Sequence, residues 1–167
     1  MKDKEQVSTS DVKSGEINVI ESVTGFVELE ITKGAGMPEK CKSDWFNFYI
    51  TSSRTVVQAL FGEDTGERVP SFMVLAKEKL KVATYEIKDP FEDGWRVYGI
   101  YGVGHPGNVG GDAFGKGKLK VDEISNSASG QSIKGSFEFI YTDIENVVVK
   151  VVAREFWAKN KGIDFGV

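Results

Sequence analysis

The sequence predicts an all-β domain, an antiparallel β-sandwich or flattened β-barrel of roughly nine short strands with at most one short helix. Three observations predict it. From Glu16 onward, apolar and polar residues alternate in short segments, the pattern of strands with one face buried. The segments are divided by turn chemistry, among it Thr24-Gly25, Asp89-Pro90-Phe91-Glu92-Asp93-Gly94 and Ser127-Ala128-Ser129-Gly130. The connections are too short for crossover helices, which excludes a largely parallel sheet.

Taken in order, residues 1 to about 15 are polar and read as a mobile arm, since too few apolar groups are present to offset the cost of ordering them. Residues 16–167 form a single domain, with a first strand at 17–23. In segment 26–32, Val27, Leu29 and Ile31 face one side and Glu28, Glu30 and Thr32 the other. The run Gly36 to Ser43, which holds the sole cysteine, Cys41, reads as a loop. Segment 45–51 sets Phe46, Phe48 and Ile50 opposite Trp45, Asn47 and Tyr49. Residues 53–61 fit a helix by the spacing of Val56, Val57, Leu60 and Phe61, but Thr55-Val56-Val57 is β-branched and favours a strand paired with 45–51. Further strands fall at 69–76, 80–87, 95–101 and 114–123. Segment 132–141 sets Ile133, Phe137, Phe139 and Tyr141 to one side, and Gly135 within it needs a large neighbour to cover it. Segment 147–153 is apolar on both faces and reads as a central strand.

Composition narrows the chemistry by exclusion. Among 167 residues there is one cysteine and one histidine, so an intramolecular disulfide, a Cys-rich zinc site and a His-cluster metal site are excluded. The net charge of -4 disfavours nucleic acid as a partner. No stretch approaches the roughly 20 apolar residues of a membrane helix. The N-terminus lacks the apolar core of a signal peptide. Location is therefore cytoplasmic if Met1 is the native start, and exported or surface-anchored if the chain is a trimmed piece of a longer one.

Nine of the 19 glycines lie within 94–117. Gly102, Gly104 and Gly107 spell G-x-G-x-x-G, but Pro106 and further loop formers stand where a dinucleotide site needs a helix N-terminus. Gly110 to Lys116 approaches a P-loop, but Gly117 replaces the hydroxyl residue and a strand follows. The stretch reads instead as a long, flexible hairpin loop. Loops 63–67 and 89–93 are acidic but lack the spacing of a calcium loop. No cofactor or metal is implied.

The remaining chemistry lies in aromatics and charges. Trp45 and Tyr49 share one strand face, and Trp95 and Tyr101 share another, with Tyr98 opposite. Together with His105, Asn108 and Asp112 of the Gly-rich loop, these residues form a candidate ligand site for sugar rings or apolar molecules. Lys116, Lys118 and Lys120 lie on one strand face as a candidate anion-binding row, or as a guard that keeps the face wet. A His105/Asp112 or Glu28/Glu30 pair would be needed for a hydrolase, but neither has the spacing of a catalytic motif.

The runs Leu80 to Ile87, Gly117-Lys118-Leu119-Lys120-Val121 and Ile133-Lys134-Gly135-Ser136-Phe137-Glu138-Phe139 resemble small bacterial β-rich domains often carried on lipoproteins. The likeness spans residues 80–157 and implies an all-β fold, with no established activity or catalytic residue to carry over. The functional expectation is thus a non-catalytic binding or adhesion module for a carbohydrate or apolar small molecule. The alternative is a structural subunit that pairs with a protein, or with its own copies as a homo-oligomer, through a β-edge or sheet face. A hydrolase-like enzyme ranks third.

Overall fold

A computed structural model describes residues 23–43, 45–62 and 67–161. The N-terminal arm, the 17–23 strand up to residue 22 and loop residues 63–66 lie outside them. The described chain is all-β, with no helix. Eleven strands follow one another: β1 (Thr24–Lys33), β2 (Glu39–Lys42), β3 (Trp45–Ile50), β4 (Thr55–Leu60), β5 (Val69–Ala76), β6 (Ala83–Ile87), β7 (Val97–His105), β8 (Asn108–Gly110), β9 (Lys116–Ser127), β10 (Gly130–Thr142) and β11 (Val148–Asn160). They form one strongly curled sheet, a half-barrel, in the order β2-β1-β11-β10-β9-β6-β7-β5-β4-β3, with β8 beside β7. Every pairing is antiparallel except the single contact of Ile87 with Val97 between β6 and β7.

The alternating residues place their apolar side inside the curl. Val27, Leu29 and Ile31 of β1, Phe46 and Phe48 of β3, Phe72 of β5, Phe137 and Phe139 of β10 and Phe156 of β11 meet in one core. Residues 53–61 supply strand β4, paired with β3 and β5, so β-branching outweighs the helical spacing. Val151 and Val149 of β11 are buried inside while Val148 stays about half exposed; β11 is a central strand with a solvent-facing back.

Two corrections concern segments read as loops. The Cys41 run contains β2, whose four residues pair with Glu28 to Ile31. The Gly-rich stretch holds β8, which folds back on β7. Its turn is His105-Pro106-Gly107-Asn108, with Gly107 at φ 85°, the Pro-Gly arrangement of a type II turn. The fully buried Gln58 of β4 fixes it: Nε2 donates to the His105 carbonyl (2.8 Å) and Oε1 accepts the Gly107 N–H (2.8 Å). The loop is therefore pinned to the sheet rather than free.

Two β-bulges tighten the curl. Between Val121 and Ile124 the exposed pair Asp122-Glu123 breaks the alternation, and β9 shifts register against β10 there. Between Ala153 and Phe156 the pair Arg154-Glu155 does the same in β11 against both β1 and β10. A bulge adds twist and bends its strand. Gly135 sits where these irregularities meet; a Cβ there would run into the Lys120 carbonyl and lie 3.4 Å from the Phe156 ring.

At one end the curl brings the free edge of β3 against β10 and β11. Side-chain amides bridge the gap in place of a backbone ladder. Gln131 Oε1 accepts the Ile50 N–H (2.9 Å), and Gln131 Nε2 donates to the Ile50 carbonyl (2.7 Å). Asn160 Nδ2 donates to the Phe48 carbonyl (2.9 Å) and to Gln131 Oε1 (2.9 Å). Both amides are buried.

Candidate functional site

The outer face of β3, β4, β5 and β7 is apolar as well as the inner one. Tyr49, Val56, Met73, Leu75, Tyr98, Ile100 and Val109 form a second core there, with Trp95 and Phe114 packed against it. The β8 hairpin covers one end of this face through Val109. The other end is an open cleft of about 380 Å³, lined by Ser53, Arg54, Leu75, Lys77, Pro90, Phe91, Trp95, Tyr98 and Phe114. Its volume falls in the range of small-molecule sites.

Each wall has a local cause. Trp95 and Tyr98 lie 5.7 Å apart, and Phe114 meets Tyr98 edge-on at 5.0 Å. Phe114 is held in place by a β-bridge to Ile100. Phe91 projects from the β6–β7 turn, where Asp89 Oδ1 accepts its N–H (2.9 Å); it is 88% exposed and touches Phe114 edge-on. The same turn is tied to β9 by the Glu92–Lys116 ion pair (3.3 Å).

The cationic rim is positioned by a neighbouring brace. Arg96 and Glu78 form a two-pronged ion pair (2.9 and 2.6 Å), and the Lys77 N–H donates to the Arg96 carbonyl (3.0 Å). This geometry sets Lys77 over Trp95, with Nζ 4.5 Å from the ring centre, a cation–π contact. Arg96 holds the Glu78 carboxyl below its ordinary range. Across the cleft, burial pushes the Tyr49 hydroxyl up while the Arg54 guanidinium pulls it down.

The sequence-predicted site residues scatter over this frame. Trp95 lines the cleft, and Tyr49 is buried in the same outer core. Trp45, half-buried, opposes Leu60 on the same face of β3 as Tyr49. His105 and Asn108 flank the pinned β8 turn. Trp95 and Tyr101 do not share a face: Trp95 precedes β7 and so escapes its alternation, packing with Tyr98, whereas Tyr101 packs on the inner core. Asp112 Oδ2 accepts the Ile144 N–H (3.1 Å). It lies beyond the far end of β8 from His105, roughly 10 Å or more along the hairpin at about 3.3 Å per residue.

The charged candidates are interleaved with opposite charge. Lys118 stands between Glu86 and Glu138 in register. Lys116 pairs with Glu92, and Lys120 with Asp122 (3.6 Å). Glu30 accepts two hydrogen bonds from Arg154 (2.9 and 3.2 Å), which hold its carboxyl below the ordinary range; a proton donor needs the opposite shift. Glu28 lies opposite Lys42. No group of three or more potential metal ligands occurs among the described residues. No helix long and apolar enough to cross a membrane occurs among the described residues.

Sequence reasoning missed Phe91, Tyr98, Phe114, Arg54 and Lys77 as cleft residues. The signal was available in β4 and β5, Thr55-Val56-Val57-Gln58-Ala59-Leu60 and Ser71-Phe72-Met73-Val74-Leu75-Ala76, which are buried throughout. Strands apolar on both faces require a second cover. Trp157 was missed as well, because it lies past the β11 bulge; it lines a polar groove of about 370 Å³ with Glu123, Lys134, Glu155 and Lys159.

Burial first, then Tyr101 and the carboxylates of Asp112 and Asp143, push the half-buried Tyr141 hydroxyl up to about 12. Above pH 10 an unfolded tyrosine ionises while the folded one stays neutral, so stability falls with rising pH until the folded group also ionises, near pH 12. After screening at a half-exposed site, the loss is about 1 kcal/mol. Urea unfolding of the protein and of Tyr141→Phe at pH 9 to 12 should show a smaller alkaline loss in the variant; parallel losses would contradict this assignment. Comparison of the chain with protein families, curated proteins and solved structures returns no match.

Proposed function

We propose that the protein is a non-catalytic binding module whose ligand, an apolar small molecule, occupies the cleft between Phe91, Trp95, Tyr98 and Phe114. The observation that carries this reading is an aromatic-walled concavity whose rim residue Phe91 is 88% exposed on a turn otherwise anchored by hydrogen bonding and an ion pair. Burying that ring against a ligand would recover hydrophobic free energy of about 25 cal/mol per Å². A sugar ring is a weaker fit, since Leu75, Pro90, Phe91, Trp95, Tyr98 and Phe114 make most of the lining apolar and leave few polar groups to meet its hydroxyls.

Assembly through a β-edge finds less support. The β2 edge is four residues long and carries Glu39, Lys40 and Lys42, and the β3 edge is engaged by Gln131 and Asn160. Short, charged and covered edges resist pairing.

Decanol should raise the thermal midpoint of the protein and cellobiose should not. Phe91→Ala, which removes an exposed ring without opening the core, should weaken decanol binding about fivefold; Trp95→Ala should weaken it further. Decanol binding unaltered in both variants would remove the cleft from consideration.

A further inference from the structure

The cleft is apolar in its walls but one-signed at its rim. Its nine described lining residues include Arg54 and Lys77 and no acidic residue. This is notable because the β6–β7 turn beside it carries Asp89, Glu92 and Asp93. Glu92 is engaged with Lys116, and Asp89 Oδ1 is engaged with the Phe91 N–H. Within 4 Å, neither Arg54 nor Lys77 has an ion-pair partner among the described residues, whereas Arg96 and Arg154 are both paired. The chain as a whole is acidic, at -4, so a cationic rim on this apolar cleft is a local arrangement rather than a reflection of composition.

Resting on the reading of the cleft as a binding site, we infer that its ligand is a small amphiphile, an apolar body with a single anionic head such as a carboxylate. The body lies against Leu75, Trp95, Tyr98 and Phe114, and the head is held between Arg54 and Lys77. An arginine presents paired donors suited to a carboxylate, and a lysine on a flexible stem adds a point charge that can follow the head. Lys77 can leave the face of Trp95 to do so, because a cation–π contact at an exposed site is weak.

The test compares decanoate, decanol and decyltrimethylammonium at pH 7.5, below micelle formation, by titration calorimetry on the full chain. Decanoate should bind about tenfold more tightly than decanol, and the ammonium compound most weakly. The decanoate-to-decanol ratio should fall toward one in Arg54→Gln/Lys77→Gln, by an intermediate amount in Arg54→Gln alone, and in the parent protein at roughly 0.5 M salt, where the screening length drops below about 5 Å. Equal affinity for decanoate and decanol in the parent protein would overturn the anionic head while leaving the apolar site intact. A ratio that persists in the double variant would also overturn it. Absence of binding by all three would overturn the binding-module reading itself.

Discussion

Gln131→Leu should cost about 3–5 kcal/mol of folding stability, the sum of several buried groups left without partners. The Gln131 amide makes four hydrogen bonds: to the Ile50 N–H and carbonyl, to Asn160 Nδ2 and to Asn126 Oδ1. A leucine matches its bulk but neither donates nor accepts. The backbone N–H and carbonyl of Ile50, a residue 2% exposed, would lose both partners at a place where water cannot easily replace them. The effect is also local in kind. Where the curled sheet meets itself there is no backbone ladder to share the load, so the variant should loosen β3 before the rest. Hydrogen exchange at the Ile50 N–H should accelerate by more than at Met73 or Ile100, which lie in the middle of the β5–β7 ladder. A urea midpoint within about 1 kcal/mol of the parent would mean that the amide bridge is dispensable.

Phe137→Ala should be of similar size, about 3–5 kcal/mol, through a cavity rather than through polar groups. Phe137 is the hub of the inner aromatic cluster: its ring centre lies 5.0 Å from Phe72, 5.8 Å from Phe156 and 5.9 Å from Phe139. Phe72 belongs to β5, on the far side of the sheet order from β10 and β11, so this ring spans the interior. Its neighbours are held by strands on opposite walls and cannot all collapse into the space it leaves. Phe137→Leu refills most of that space and should cost much less, under about 1.5 kcal/mol. Equilibrium unfolding of the two variants at unchanged m-value is the measurement. A loss below about 1.5 kcal/mol in the alanine variant would show that the walls can close in.

Much of this fold was legible because side-chain alternation is a local property. Val27, Leu29 and Ile31, or Phe137 and Phe139, announce an inner face by spacing alone, and the strands at 45–50 and 69–76 were found nearly to the residue. Legibility stopped where period two stopped. The expected strands ended at 123 and 153, next to Asp122-Glu123 and Arg154-Glu155, yet both strands continue, to Ser127 and Asn160. A doubled charged pair within an alternating run marks a bulge as well as an end, and the chain alone does not distinguish them. Strand β2 carries too few apolar residues to show a period, and β8 has three residues; both exist because a neighbouring strand offers its edge.

By itself the sequence determined that this chain is an antiparallel β protein with an aromatic core, without the residues for a disulfide, a Cys-rich zinc site or a His cluster. Which aromatics are core and which line a surface was decided only by tertiary structure. Tyr101 and Trp95 look alike in the sequence; the former packs inside the curl, the latter borders a cleft built from two strands, β5 and β7, and from the connections that carry Arg54, Phe91 and Phe114. The physical reason is that alternation gives each residue a side of its own strand, whereas a cleft requires knowing what covers that side. That cover comes from Phe114 and Phe91, on segments far apart in the chain from β4, and from a hairpin fixed by the amide of Gln58.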